Sequence, residues 1–402
     1  MRYLSVFIML TVLMSSCKSK GALKETNINK NELIEKITTQ LKYSPVLKSD
    51  FDLSQRRIFP RTVENGELGL VNRRDWTSGF YPGVLWFTYH LTENPEWKDQ
   101  AIKFTELLEK EQFNGSNHDI GFKMMASYGL GYKYTNNAAY KSVLVESAKT
   151  LVTRFDETVG SIRSWDHHKD KWEFPVIIDN LMNLELLYWA WKETGDSVFY
   201  NIANSHAKTT IKNHFRSDYS SYHVVNYDTI TGVAKDKVTH QGYADDSAWA
   251  RGQAWALYGY SMAYRETQDP EFLKQAEKVA NYIINVATLP NDFVPKWDFS
   301  LKDVESEPKD ASAAAVMASA LYELSTFTTS AENKEEYLKV ANGMLASLST
   351  DKYFNTQGAD EGFLLKHSTG SKPWKSEIDV PLVYADYYYL EALSRKLELQ
   401  KK

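Results

Sequence analysis

Cysteine is the scarcest residue in this 402-residue chain, with one copy at position 17. A single thiol excludes a disulfide framework and a thiolate zinc site. Long apolar runs are almost as scarce, and none outside the first 14 residues approaches a transmembrane length. There is no Gly/Ser linker or low-complexity tract, so no internal domain boundary presents itself. Lys and Arg are never clustered and the formal net charge is −5. This argues against a nucleic-acid partner, which needs a basic stripe to displace counterions. No His/Glu spacing matches a zinc site and no glycine loop is built to cradle a phosphate, so neither metal nor cofactor is expected. What the chain does have is aromatic: 18 Phe, 25 Tyr and 11 Trp, enough to bury a large core and exclude disorder. The tryptophans lean toward a carbohydrate-handling protein.

The first residues read as an export signal. Arg2 precedes an apolar run from Tyr3 to Met14, followed by Ser15, Ser16 and Cys17. The run is too short to span a bilayer. A cysteine placed after small residues at the end of such a run resembles a bacterial lipobox, in contrast to an ordinary signal peptide with an incidental cysteine. The expected organisation is a lipoprotein signal peptide over residues 1–16, a tether over 17–30 anchored to the cell envelope through acylated Cys17, and one domain over 31–402. Neither the membrane face nor an oligomeric state is legible.

Within that domain one kind of helix start recurs: Asn94, Asn137, Asp196, Asp269 and Asn333 each suit an N-cap. Each is followed within a few residues by an aromatic, and then by alanines and aliphatics at helical spacing. The aromatics Trp97, Tyr140, Phe199, Phe272 and Tyr337 lie 43, 59, 73 and 65 residues apart. Such intervals fit one helical hairpin each. With a further helix from about Asn31 to Lys42 they predict roughly six hairpins, closing as an all-α (α/α)6 barrel. An open tetratricopeptide-like solenoid should show a steadier and shorter period. One β-hairpin is expected where Ser221 to Tyr227 alternates ahead of Asp228–Gly232, inserted over the funnel mouth.

Two acids stand out. Asp119, in His118-Asp119-Ile120-Gly121-Phe122, lies between a polar loop and an apolar helix start, where an aspartate often caps. Asp179, in Pro175-Val176-Ile177-Ile178-Asp179-Asn180-Leu181-Met182-Asn183, reads as an acid inside an apolar helix begun at Pro175. A partly buried carboxyl needs a partner or a proton, and a protonated one suits general-acid catalysis. From a helix expected to begin near Asp246, Ser247, Arg251 and Trp255 form one stripe. It offers a carboxylate fork and a stacking face, or else an Arg paired with Asp245 or Asp246 beside a core Trp. Trp76-Thr77-Ser78-Gly79-Phe80 is a second aromatic cluster, and His223 shares its strand face with Ser221, Val225 and Tyr227.

These strings, with Gln241-Gly242-Tyr243, Trp249-Ala250-Arg251-Gly252-Gln253-Ala254-Trp255 and the segment from Asp379 to Leu393, occur in one order over roughly Asn31 to Arg395. Together they resemble the unsaturated glucuronyl hydrolases of glycoside hydrolase family 88. The resemblance implies an (α/α)6 barrel and a glycosidase that hydrates the 4,5 double bond left on uronic acids by polysaccharide lyases. It implies that Asp179 is the general acid/base and Asp119 the second carboxylate. Trp76, Phe80, His118, His223, Gln241, Arg251 and Trp255 match positions that line the pocket. Some family members read sulfated sugars with a Ser-x-x-Ser-x-Lys loop. Here Ser368 and Ser371 match, while Lys372 stands one place early. The substrates expected are unsaturated uronate oligosaccharides from glycosaminoglycan or ulvan. The rivals are the related family 105 rhamnogalacturonyl hydrolases, which tend to carry Asn-Gly where this chain has Gln253-Ala254, and a non-catalytic sugar-capture lipoprotein.

Overall fold

The computed structural model describes residues 29–287, 289–301 and 305–401. The signal peptide, Cys17 and nearly all of the tether expected from the sequence lie outside the described residues. Outer helix α1 (Lys30–Leu41) precedes inner α2 (Phe80–Thr92) and outer α3 (Pro95–Glu106). The next inner rod is α4 (Ile120–Met124), running through a π turn (Met125–Gly129) into α5 (Leu130–Thr135), and α6 (Ala138–Val152) lies outside it. Three more inner–outer pairs follow: α7 (Leu184–Thr194) with α8 (Ser197–Asn213), α9 (Ala250–Thr267) with α10 (Pro270–Asn281), and α11 (Ala311–Leu324) with α12 (Ala331–Leu348). The last inner helix, α13 (Val383–Leu399), packs on both α11 and α2, so the ring closes where a solenoid would stay open.

The local chemistry explains the starts. Asn94, Asn137, Asp196 and Asp269 each accept the backbone N–H two residues on, as N-caps do, and the aromatics that follow them are buried. The fifth start moves. Ser330 caps α12 by accepting from Asn333 N–H, so Asn333 lies inside the helix. Outer helices bury one stripe, whereas α9 and α11 are buried nearly all round, as rods walled on every side must be.

There is more β structure than the single expected hairpin. β1 (Phe59–Glu64) and β2 (Glu67–Val71) form a hairpin turning on Asn65 and Gly66, both at positive φ (54° and 79°). That dipeptide is itself a strong hairpin signal. β3 (Phe155–Asp156) pairs with β4 (Ser161–Ile162), and β8 (Ser368–Ser371) pairs with β9 (Ser376–Val380). The hairpin that the sequence indicates is present as β6 (Val224–Tyr227) and β7 (Ala234–Val238), but β5 (Phe174–Ile177) joins it in the order β5-β6-β7. Pro175 is therefore a strand residue, and Asp179 lies in a 3-10 turn (Ile178–Asn183) between β5 and α7, not inside an α-helix.

Candidate active site

All the inner rods begin at one end of the ring. Asp119, Asn183, Trp249 and Asp310 stand at the N-caps of α4, α7, α9 and α11, while Phe80 and Tyr384 open α2 and α13. Converging helix N-termini give this mouth a positive field, suited to an anionic ligand.

Strand pairing brings the first two groups together. β5 and β6 are antiparallel with Ile177 opposite Val224, and Ile178 N–H donates to the His223 carbonyl (3.0 Å). Asp179 and His223 therefore leave the sheet side by side, with His223 Nε2 3.7 Å from Asp179 Oδ1. His223 is buried, and its Nδ1 accepts two backbone N–H bonds, from His240 and Gln241 (both 3.1 Å). With Nδ1 occupied as an acceptor, the proton sits on Nε2, facing Asp179. Burial, reinforced by His240 and Arg251, holds this imidazole well below its ordinary pKa, so it is neutral.

Asp179 keeps 13% of its side chain exposed, and its Oδ1 has no hydrogen-bond partner. Burial pushes its carboxyl up to about 7, against the pull of Arg251, and the nearby charge of Asp119 adds to the rise. The Trp255 indole N–H faces the carboxyl without completing a hydrogen bond. Trp255 itself is fully buried, packed on Phe122 and Tyr388, so it forms a wall and offers no stacking face.

Asp119 does not cap. It stands at the N-cap of α4, yet its side chain makes no capping bond; its Oδ1 lies 3.3 Å from Nε2 of buried His118. Its position relative to Asp179 is set by backbone. Phe122 N–H donates to Asn183 Oδ1 (2.8 Å), and a Cβ on Gly121 would lie 2.5 Å from the Asn183 Cα. Only glycine admits that approach.

Arg251 differs most from the sequence reading. Helix α9 begins at Ala250, so Ser247 falls outside it and bonds Asp298 (2.7 Å). The buried guanidinium pairs with neither Asp245 nor Asp246; Nη1 reaches Asp310 Oδ2 (2.8 Å) and the Thr369 carbonyl, and Nη2 the Gly370 carbonyl (both 2.5 Å). It is a strut that fixes the β8 edge at the mouth, with three of its five N–H donors engaged in these bonds. Gln241 ties to the same strand through Gly370 O (3.2 Å). Ser368 is fully buried, and neither its hydroxyl nor that of Ser371 has a protein partner, while the Lys372 ammonium is taken by Glu307. Trp76 is half-buried against Phe80, Phe122 and Tyr384 (5.8, 5.6 and 5.0 Å between ring centroids), and Phe80 is core behind it.

Sequence reasoning missed Asp310 and His240. Asp310 precedes Ala311-Ser312-Ala313, an N-cap signal that could have located α11, but its pairing with Arg251 spans 59 residues. Among the described residues no group of three or more His, Cys, Asp or Glu is placed to hold a metal. No helix there is long and apolar enough to cross a membrane.

Comparison with known proteins finds relatives over nearly the whole chain. An unsaturated glucuronyl hydrolase of Formosa agariphila is 47% identical over 402 residues, covering 99% of this chain and 98% of that one. An unsaturated chondroitin disaccharide hydrolase of Streptococcus pneumoniae is 33% identical over 370 residues, covering 90% and 91%. The crystal structure of an unsaturated glucuronyl hydrolase specific for heparin superposes with a TM-score of 0.88 at 45% identity, covering 93% of this chain and 99% of that one. The model of Glycosyl Hydrolase Family 88 matches residues 55–394, and the chain belongs to that family.

Proposed function

We propose that this enzyme hydrates the 4,5 double bond of the unsaturated uronic acid at the non-reducing end of lyase-generated oligosaccharides. Asp179 carries the reading, as a buried carboxyl that stays protonated up to about pH 7, with one unpartnered oxygen. It gives its proton to C4 of the vinyl ether. As carboxylate it then takes a proton from the water that adds at C5, which restores the acid. The hemiketal so formed opens and releases the neighbouring sugar. Because the bond attacked is the ring alkene, carboxylate separation does not set a retaining or inverting outcome here.

Asp119, steered by His118, holds the ring hydroxyls and its charge keeps the proton on Asp179. His223 offers a fixed Nε2–H toward the same centre. With Arg251 engaged, the uronate carboxylate is drawn by the converging helix N-termini. Trp76 supplies the partly open aromatic surface. The relatives' names point to glycosaminoglycan-type substrates, and ulvan fragments fit the same chemistry. The enzyme is further proposed to be a lipoprotein, with residues 1–16 removed, Cys17 acylated and 17–30 tethering one catalytic domain to the cell envelope.

The test follows the loss of conjugated uronate absorbance with disaccharides from glycosaminoglycan, ulvan and pectic lyases. Turnover of at least one of the first two is expected. No turnover on any of the three would sink the proposal.

A further inference from the structure

A line of rings joins the site to an exposed patch. His223, beside Asp179, lies 6.3 Å from His240 between ring centroids, and His240 lies 5.1 Å from Trp374. Trp374 is in the β8–β9 turn and is the only exposed tryptophan among the described residues, at 57%. Leaving an indole face in water forgoes hydrophobic stabilisation. It is held in place, because its Nε1–H donates to the His240 carbonyl (2.9 Å). Trp374 borders a depression of about 470 Å³ with a second exposed ring, Tyr243, at 54%. Tyr243 is also anchored by its backbone, whose N–H donates to buried Asp298 (2.9 Å). Lys171 stands on the rim, over the Trp172 ring (4.4 Å). The carboxylate on the rim, Asp245, is turned to the Thr239 N–H (2.9 Å). Two aromatic faces flanking a polar, open depression, with an ammonium at its edge, suit the apolar faces of pyranose rings and an acidic substituent.

We propose that this depression is a distal subsite for the sugars beyond the leaving unit, clamped by Trp374 and Tyr243, so that the enzyme prefers oligosaccharides longer than a disaccharide. The inference rests on the reaction proposed above. It commits the occupant to the reducing-end continuation of the substrate, because His240, which lines the depression, stands beside His223 at the catalytic centre (6.3 Å between ring centroids).

The experiment compares an unsaturated disaccharide with the tetrasaccharide from the same lyase. The tetrasaccharide should show a KM about tenfold lower, as one good stacking contact provides. Trp374→Ala should erase most of that advantage and Tyr243→Ala part of it, with disaccharide constants unchanged. Trp374→Phe, which keeps a ring face but loses the N–H bond to His240, should retain most of it. Equal constants for the two substrates in the unsubstituted enzyme would overturn the subsite while leaving the reaction intact. Equal loss on both substrates in Trp374→Ala would also overturn it, since Trp374 would then act by placing His240. Absence of turnover on either substrate would remove the reaction and the subsite together.

Discussion

At the end of the ring where the inner helices begin, Asp179 is buried with an unpartnered oxygen and no cation in contact; where they finish, buried acids are paired one by one. There Arg265 binds Glu185, Glu266 (2.7 Å) and Glu323 (2.7 Å), and Arg395 reaches Glu323 (3.3 Å). Glu391 accepts from Tyr258 (3.0 Å) and Ser319 (2.6 Å). Burial alone would raise Glu323, yet Arg265 and Arg395 outweigh it and hold the carboxyl below its usual range. Those arginines also sit near helix C-termini, where the dipoles welcome them. The far end even holds an open cavity of about 640 Å³. Room is therefore a poor guide to chemistry in this molecule. A titratable acid left without an ion-pair contact is the better one. Asp386 refines the rule: burial raises it to about 8, but both its oxygens accept backbone N–H groups (Leu364 and Leu365, 2.9 Å each), so it braces a loop and faces no substrate.

The contrast can be broken by substitution. Asp179→Asn should lower kcat by about a thousandfold or more with an unchanged circular dichroism spectrum; near-normal turnover would remove the acid from its role. In the unsubstituted enzyme, kcat/KM should fall as pH rises through about 7, because the protonated acid is lost. Arg251→Met strands buried Asp310 and releases two carbonyls of the β8 edge. Denaturant titration should show a loss of about 3 kcal/mol, and an unchanged midpoint would refute the strut. Arg265→Met, at the partly exposed far end, should cost about 2–3 kcal/mol while disaccharide turnover below the melting temperature stays normal. A matching fall in kcat would show that the two ends are not separable.

The smallest effect concerns stability and pH. A carboxyl whose native pKa is raised binds more protons folded than unfolded, so its contribution falls as pH rises from the ordinary 3.8 through about 7. Asp179→Asn should therefore stabilise the fold at pH 8 by roughly 1–2 kcal/mol and leave it nearly unchanged at pH 4. Melting curves at the two values decide it, since Asp386 is common to both proteins and cancels. A gain of equal size at both pH values would deny that Asp179 titrates.

The sequence made local decisions legible and hid distant ones. N-caps such as Asn94 and Asp269 could be read because a cap is made within a few residues. Asn333 misled because Ser330, three residues earlier, can cap equally well. Asp179 was placed in a helix because a short apolar run such as Pro175–Ile178 does not distinguish a buried strand from a helix. Only β6, some 50 residues on, turns it into a strand, and that pairing brings His223 to the acid. The role of Arg251 was illegible for the same reason, since its partners are at 310, 369 and 370.

Ring closure by α13 has a consequence for how the protein is made. Asp179 leaves the ribosome about midway through synthesis, but the β8 edge that Arg251 holds and the helix that shuts the ring arrive close to the end. Contacts this far apart in sequence form slowly and late. A nascent chain thus carries both Asp119 and Asp179 before the ring around them can close. Removal of the whole last helix should therefore leave the ring open and the protein without disaccharide turnover, which the absorbance assay would show.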